Sequence, residues 1–146
     1  MKKYTGCFLA AVLALLLASC GSSKSGAPQD GTVVYCLEAD EEALATENYA
    51  IDLTESETAI QQILDTIANG PGDSDHQSLL PKDVTMQSYS YSNGAIVVNF
   101  SPEYGAMTKD REVLARAGIV RSLMQIEGVR NVSFTIEGAP IMNSKG

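Results

Sequence analysis

Three kinds of side chain in this 146-residue sequence could do chemistry: the thiols Cys7, Cys20 and Cys36, the single imidazole His76, and a surplus of carboxylates. A thiol can take a lipid, close a disulfide, ligate a metal or attack an electrophile, and an imidazole can ligate or carry a proton. Asp73, Asp75 and His76 lie close enough in sequence to suggest a metal held by oxygen and imidazole ligands. The stretch Gly72-Asp73-Ser74-Asp75-His76 has the composition of a polar loop, however, and the loop reading is preferred. A Ser-His-Asp triad would have to use the same histidine, and no Gly-x-Ser-x-Gly elbow is present. Cys36 sits in an apolar run beside Tyr35, Leu37 and Glu38, with no base or cation to activate it, and reads as a buried small hydrophobe. The acids Glu38, Asp40, Glu41, Glu42 and Glu47 lack the spacing, glycine and closing glutamate of a calcium loop and read as solvated surface. No catalytic residue, metal or cofactor is therefore expected, and the chain is not expected to be an enzyme.

Cys20 differs because of what precedes it. Met1-Lys2-Lys3 is a positive start, and residues 7–18 form a short apolar core. That core is shorter than the roughly 20 residues a spanning helix needs. Residues 1–19 thus read as a signal peptide. Leu17-Ala18-Ser19-Cys20 resembles the lipobox of bacterial lipoproteins. The resemblance implies a diacylglycerol in thioether linkage to Cys20, cleavage between Ser19 and Cys20, and acylation of the new amine, with chains such as palmitate. A lipidated Cys20 leaves Cys36 without an internal disulfide partner. Behind it, residues 20–31 form a Gly- and Ser-rich flexible tether.

Loss of the signal peptide leaves 127 residues, about one ordinary domain, and takes the formal charge from −8 to −10 by removing Lys2 and Lys3. A chain this acidic excludes nucleic acid as a partner, since phosphate binding needs clustered Lys and Arg. It is also repelled by anionic headgroups, so residence at a membrane needs a covalent anchor.

The elements that would position these groups follow from patterning. Residues 32–37 are β-branched and aromatic and predict a strand. Residues 38–47 read as a solvated loop, and residues 49–53 alternate as a second short strand would. Thr54 and Glu57 fit a capping box ahead of Ile60, Ile63, Leu64 and Ile67, one stripe of a helix that Asn69-Gly70-Pro71 stops. Residues 84–92 and 95–101 flank Asn93-Gly94, the type I′ turn pair. The two-residue turn sets Tyr91 opposite Ile96, Tyr89 opposite Val98 and Gln87 opposite Phe100, with Tyr89, Tyr91, Ile96, Val98 and Phe100 on the core face and a bulge expected near Val84 and Met86. A second helix is expected over residues 108–127, with Val113, Leu114, Ala117, Val120, Leu123 and Met124 as its buried face and close backbone packing at Gly118. Gly128 ends it. Val132, Phe134 and Ile136 alternate on a last strand, after which Glu137-Gly138-Ala139-Pro140 turns the chain out. The sum is an α+β fold: a small mixed sheet with two helices packed on one face.

Several of these phrases share a source. Ile63-Leu64-Asp65-Thr66-Ile67-Ala68-Asn69-Gly70-Pro71, Leu80-Pro81, Ser92-Asn93-Gly94 with Val97-Val98-Asn99-Phe100-Ser101, Gly128-Val129-Arg130-Asn131-Val132-Ser133-Phe134 and Glu137-Gly138-Ala139-Pro140 occur in this order. They resemble the GerMN domain family, named after a bacterial sporulation and germination protein, over residues 33–140. The departures are Asn99 where the family pattern has an acid and Glu127 where it has a proline. The resemblance implies a domain similar to the ring-building modules of envelope assemblies, spanning residues 32–143, and carries over no catalytic residues.

These readings predict a lipid-anchored, non-catalytic protein on the extracytoplasmic side of the cell membrane. Its domain would bind an envelope protein partner or a second copy of itself, in sporulation, germination or envelope assembly. The alternative is a surface lipoprotein that binds a small ligand or glycan, which requires a concave apolar pocket. An uncovered apolar sheet edge or face would favour the first reading.

Overall fold

The structure, a computed structural model, describes residues 31–141. The expected signal peptide, Ser19, Cys20 and the expected tether through residue 30 lie outside the described residues, as do residues 142–146.

The β-branched run becomes β1 (Thr32–Leu37), paired antiparallel with β2 (Leu44–Tyr49). This corrects the expected loop over residues 38–47 and the expected strand over residues 49–53: the second strand begins at Leu44 and ends at Tyr49. The backbone of β1 needs partners along both edges, and residues 44–49 supply one side, with Glu47 opposite Val34 and Ala45 opposite Cys36. On the other edge, Val33 N–H donates to Gln125 Oε1 (3.2 Å), Tyr35 N–H to Ser122 Oγ (2.9 Å) and Leu37 N–H to Gln77 O (2.9 Å).

Helix α1 (Ser56–Asn69) buries Ala59, Ile60, Ile63, Leu64 and Ile67, the expected stripe. Its cap is Glu55 without a side-chain bond, so the Thr54–Glu57 capping box is not formed; Thr54 N–H instead donates to Asp52 Oδ1 (2.9 Å). Gly70 closes the helix at φ +83°, a backbone angle that favours glycine.

The hairpin forms as expected between β3 (Met86–Ser92) and β4 (Ala95–Phe100), with positive φ at both Asn93 and Gly94 as a type I′ turn demands. Tyr91 faces Ile96 and Tyr89 faces Val98. The expected Gln87–Phe100 pair is corrected: a register shift between Met86 and Ser88 places Met86 opposite Phe100. The bulge thus keeps an apolar residue over the core and puts Gln87 in solvent.

Thr108 caps α2 (Lys109–Leu123) through its side chain, which accepts from Arg111 N–H. The expected buried face of this helix holds at Leu123, and in part at Leu114 and Val120, but not at Val113 and Met124. Ala115, Gly118, Ile119, Ser122 and Leu123 point inward, while Val113 and Met124 are 59% and 44% exposed. Gly118 is closely packed, as expected: a Cβ there would sit 2.6 Å from Leu79 Cδ2. The helix ends at Leu123, earlier than expected, and Gly128 (φ +87°) belongs to the turn that follows.

That turn leads to β5 (Asn131–Ile136), which lies parallel to β4, and the chain then folds back as the short β6 (Ala139–Pro140) rather than turning out. The strand order β3-β4-β5-β6 is a mixed sheet, and β1-β2 is a second, separate one. The α+β architecture is as expected, with its strands divided between two sheets. Both helices, β1, β4 and β5 share a single core around Ile60, Ile63, Ile96, Val98, Phe100, Ile119 and Leu123. The opposite face of the larger sheet carries Ser88, Ser90 and Ser133, all exposed, with Asn99 and Thr135 partly so. Asn99 explains the departure noted there: its Oδ1 accepts from Thr135 Oγ1 (2.8 Å) and Gly138 N–H (2.7 Å), as an acid would, and its Nδ2 also donates to Gln87 Oε1.

Candidate functional site

Alternation along β1 and β2 places Cys36, Ala45, Glu47 and Tyr49 on one face of the small sheet. The segment after α1 crosses that face. It is held there by a two-way backbone bridge, Leu37 N–H to Gln77 O and Gln77 N–H to Leu37 O, both 2.9 Å. The bridge fixes the neighbouring residue, His76, over the strands. One ligating atom each from Cys36, Glu47 and His76 lie within 4.8 Å of one another. Cys36 is buried, and the side chains of Glu47 and His76 are only 13% and 19% exposed.

Glu47 is the centre of the cluster. Its Oε1 accepts from His76 Nδ1 (2.8 Å) and Asp73 N–H (3.0 Å), and its Oε2 from Tyr49 Oη (2.5 Å) and Gly72 N–H (2.8 Å). Burial pushes the carboxyl pKa up, but the bonds from Tyr49, His76, Gly72 and Asp73 outweigh it and bring the pKa down to about 2. The carboxylate is therefore ionised at neutral pH and orients the proton of His76 onto Nδ1. The bond to Glu47 raises His76 above the usual imidazole range, against a smaller opposing effect of burial. Burial, then the Glu47 bond, push Tyr49 up to about 12. Burial first, and then the negative charges of Glu47, Glu38 and Asp73, push the Cys36 thiol up to about 11. The thiol is thus protonated at neutral pH and a weak nucleophile. A crevice of about 10 Å³, room for one water, opens beside Cys36, Glu47 and Tyr49.

The residues singled out in the sequence are therefore regrouped. Asp75 does not join His76: its backbone N–H donates to Asp73 Oδ1 (2.9 Å), a loop-closing bond, and its side chain is exposed. Of the acidic stretch, Glu38, Asp40, Glu41 and Glu42 are exposed as expected, with Glu41 paired to Arg111. Glu47, placed among them by composition, is the exception. Tyr89 and Tyr91 are half-buried against the core. Ser19 and Cys20 lie outside the described residues. Beyond the crevice, the larger depressions described are open surface features of about 360–420 Å³. One lies between α1 and β3, lined in part by Leu64, Met86 and Tyr89.

Residues 33–142 match the family model described as "Germane: Sporulation and spore germination". Among solved structures, the chain is similar to the tandem GerMN domains of the sporulation protein GerM from Bacillus subtilis, at 20% identity and a TM-score of 0.59, over 78% of this chain and 42% of that one. The first GerMN domain of that protein matches at 19% identity and a TM-score of 0.60, over 75% of this chain and 84% of the domain. A "putative lipoprotein" from Clostridium perfringens matches at 20% identity and a TM-score of 0.51, over 75% of each chain. At these identities the likeness is one of fold. The chain spans about two-fifths of the tandem-domain chain, 42% of its length. No curated protein sequence matches it.

Proposed function

The chain belongs to the Germane family of sporulation and spore germination (GerMN) domains, and on that premise we propose that it is a lipid-anchored, non-catalytic envelope protein whose domain docks a protein partner on the extracytoplasmic side of the cell membrane. The anchor in this reading is the lipid on Cys20. No helix among the described residues is long and apolar enough to cross a membrane. The sequence Leu17-Ala18-Ser19-Cys20 supports lipidation, and a GerMN-fold neighbour is itself described as a lipoprotein.

The observation that carries the docking half is the outer side of α2. Val113, Ala117, Val120 and Met124 recur at i, i+4, i+7 and i+11 as one apolar stripe; Ala117 and Val120 are half-buried, Val120 against the core, and Val113 and Met124 are the large hydrophobic side chains that stand exposed among the described residues. A helix that spends apolar residues on its outer side presents a surface suited to a partner's apolar groove or helix. The open sheet face, rich in Ser88, Ser90 and Ser133, has no such character.

The test is a photo-crosslinking residue at Met124 in cells, with one at Ser90 as the control face. A protein adduct at Met124 that is absent at Ser90, and is lost when Val113→Glu is added, is the expected outcome. Adducts equal at both positions, or only glycan or small-molecule adducts, overturn the docking reading.

A further inference from the structure

Cys36, Glu47 and His76 have no use in a docking surface on α2, and they converge from three separate backbone segments. We infer that Cys36 Sγ, a carboxylate oxygen of Glu47 and His76 Nδ1 form a binding site for one divalent transition-metal ion of the zinc class, with a fourth position open to water.

The donor set is the first argument. A thiolate, an imidazole and a carboxylate are ligands that zinc accepts together, while calcium and magnesium take oxygen alone. Spacing is the second. A tetrahedral zinc ion holds its ligand atoms about 3.3–3.8 Å apart. The three atoms here lie within 4.8 Å of one another, with His76 Nδ1 and Glu47 Oε1 at 2.8 Å. Side-chain rotations suffice to open the short pair and close the longer ones around an ion.

Placement is the third argument. β1 and β2 fix Cys36 and Glu47 through their paired register, and the Leu37–Gln77 bridge fixes the backbone next to His76. The site is thus largely formed before an ion arrives. The amides of Gly72 and Asp73 and the hydroxyl of Tyr49 already orient the carboxylate, as outer hydrogen bonds do around metal ligands. The one-water crevice beside Cys36 and Glu47 lets a water reach the thiol and the carboxylate. The charges of Glu47, Glu38 and Asp73, which disfavour a bare thiolate, favour a cation in the same place.

On binding, the Cys36 thiol gives its proton to solvent and its sulfur to the ion, and His76 gives up the Nδ1 proton that it shares with Glu47, keeps one proton on Nε2, and turns the freed Nδ1 lone pair to the ion. The ion would then clamp the segment after α1 onto the small sheet.

Titration of the full chain, reduced, with Co2+ and then Zn2+ tests this. One equivalent of Co2+ should give a thiolate-to-cobalt charge-transfer band that Zn2+ abolishes. Cys36→Ser should remove the band, and His76→Gln should weaken Zn2+ binding by at least about tenfold. Should Cys36→Ser fail to fold, His76→Gln decides, because the remaining donors to Glu47 still hold the loop. Absence of the band in the wild-type chain overturns the inference. So does a band and an affinity unchanged in whichever of the two variants folds.

Discussion

A carboxylate that accepts four hydrogen bonds in the fold has its ionised form stabilised there and not in the open chain, and Glu47 is in that position. Its pKa falls from 4.5 to about 2, so it contributes stability that is whole above about pH 4.5 and is lost as the pH falls toward 2. His76 has the opposite sign. Its pKa is raised above 6.5, so its contribution is whole below that value and is lost as the pH rises through the folded pKa. The two windows overlap between about pH 4.5 and 6.5. Glu47→Gln should therefore cost most there, about 1–3 kcal/mol, because it leaves buried donors with a weaker acceptor. Urea midpoints of wild type and variant, taken with chelator present at about pH 3, 5.5 and 9, check it. A gap between them that is the same at all three values would show that Glu47 is an ordinary surface acid. The composition of residues 38–47 hid this role, because an acid in an acidic run looks solvated whichever strand face it occupies.

At the scale of elements, α2 shows how packing overrides a hydrophobic count. Its residues offer two faces, and the fold buries the one on which the small Ala115, Gly118 and Ser122 stand between Ile119 and Leu123. Gly118 lets Leu79 approach to a distance that a Cβ would contest at 2.6 Å, and Ser122, fully buried, accepts from Tyr35 N–H and donates to Gly118 O. The edge of β1 needs donors and acceptors from the helix, and only that rotation of α2 supplies them. Gly118→Ala should cost about 1–3 kcal/mol, since Leu79 is itself 1% exposed and has nowhere to move. Chemical denaturation measures the loss, and an unchanged midpoint would mean that the helix packs through another face. Features set by local chemistry were legible beforehand: the α1 stripe, the Asn93-Gly94 turn and the register it imposes, and the α+β class. Features set by distant partners were not. The strand at residues 44–49 is defined by β1, the pairing of Met86 rather than Gln87 with Phe100 by the core, and the grouping of Cys36, Glu47 and His76 by a bridge between residues 40 positions apart, Leu37 and Gln77. Within its own flanking sequence none of the three residues has a partner from the cluster.

For the whole molecule, position and fold are separable. The described domain starts its first strand at Thr32, and its core is built from residues 34–134. The chain is acidic, with a formal charge of −8 that would become −10 if the proposed cleavage removed Lys2 and Lys3, so it gains no attraction from anionic headgroups. Membrane retention in the proposed reading then comes from acyl chains, each buried methylene contributing about 0.8 kcal/mol, and not from charge. Two consequences differ from those of a peripheral protein held by electrostatics. A wash at about 1 M salt, where the Debye length falls to about 3 Å, should leave the wild-type protein on membranes. Cys20→Ala should block lipid attachment and cleavage before residue 20, while the domain's thermal midpoint stays within about 2 °C of wild type, since no described contact is touched. Radiolabelled palmitate reports the first effect and calorimetry the second. Label retained by Cys20→Ala, or release of the wild-type protein by salt alone, would place the anchor elsewhere. In the proposed reading about a dozen residues, 20–31, link the lipid on Cys20 to the domain that carries the α2 stripe. A flexible chain of that length reaches roughly 20 Å. A partner that engages the stripe must therefore present its own apolar surface close to the same membrane.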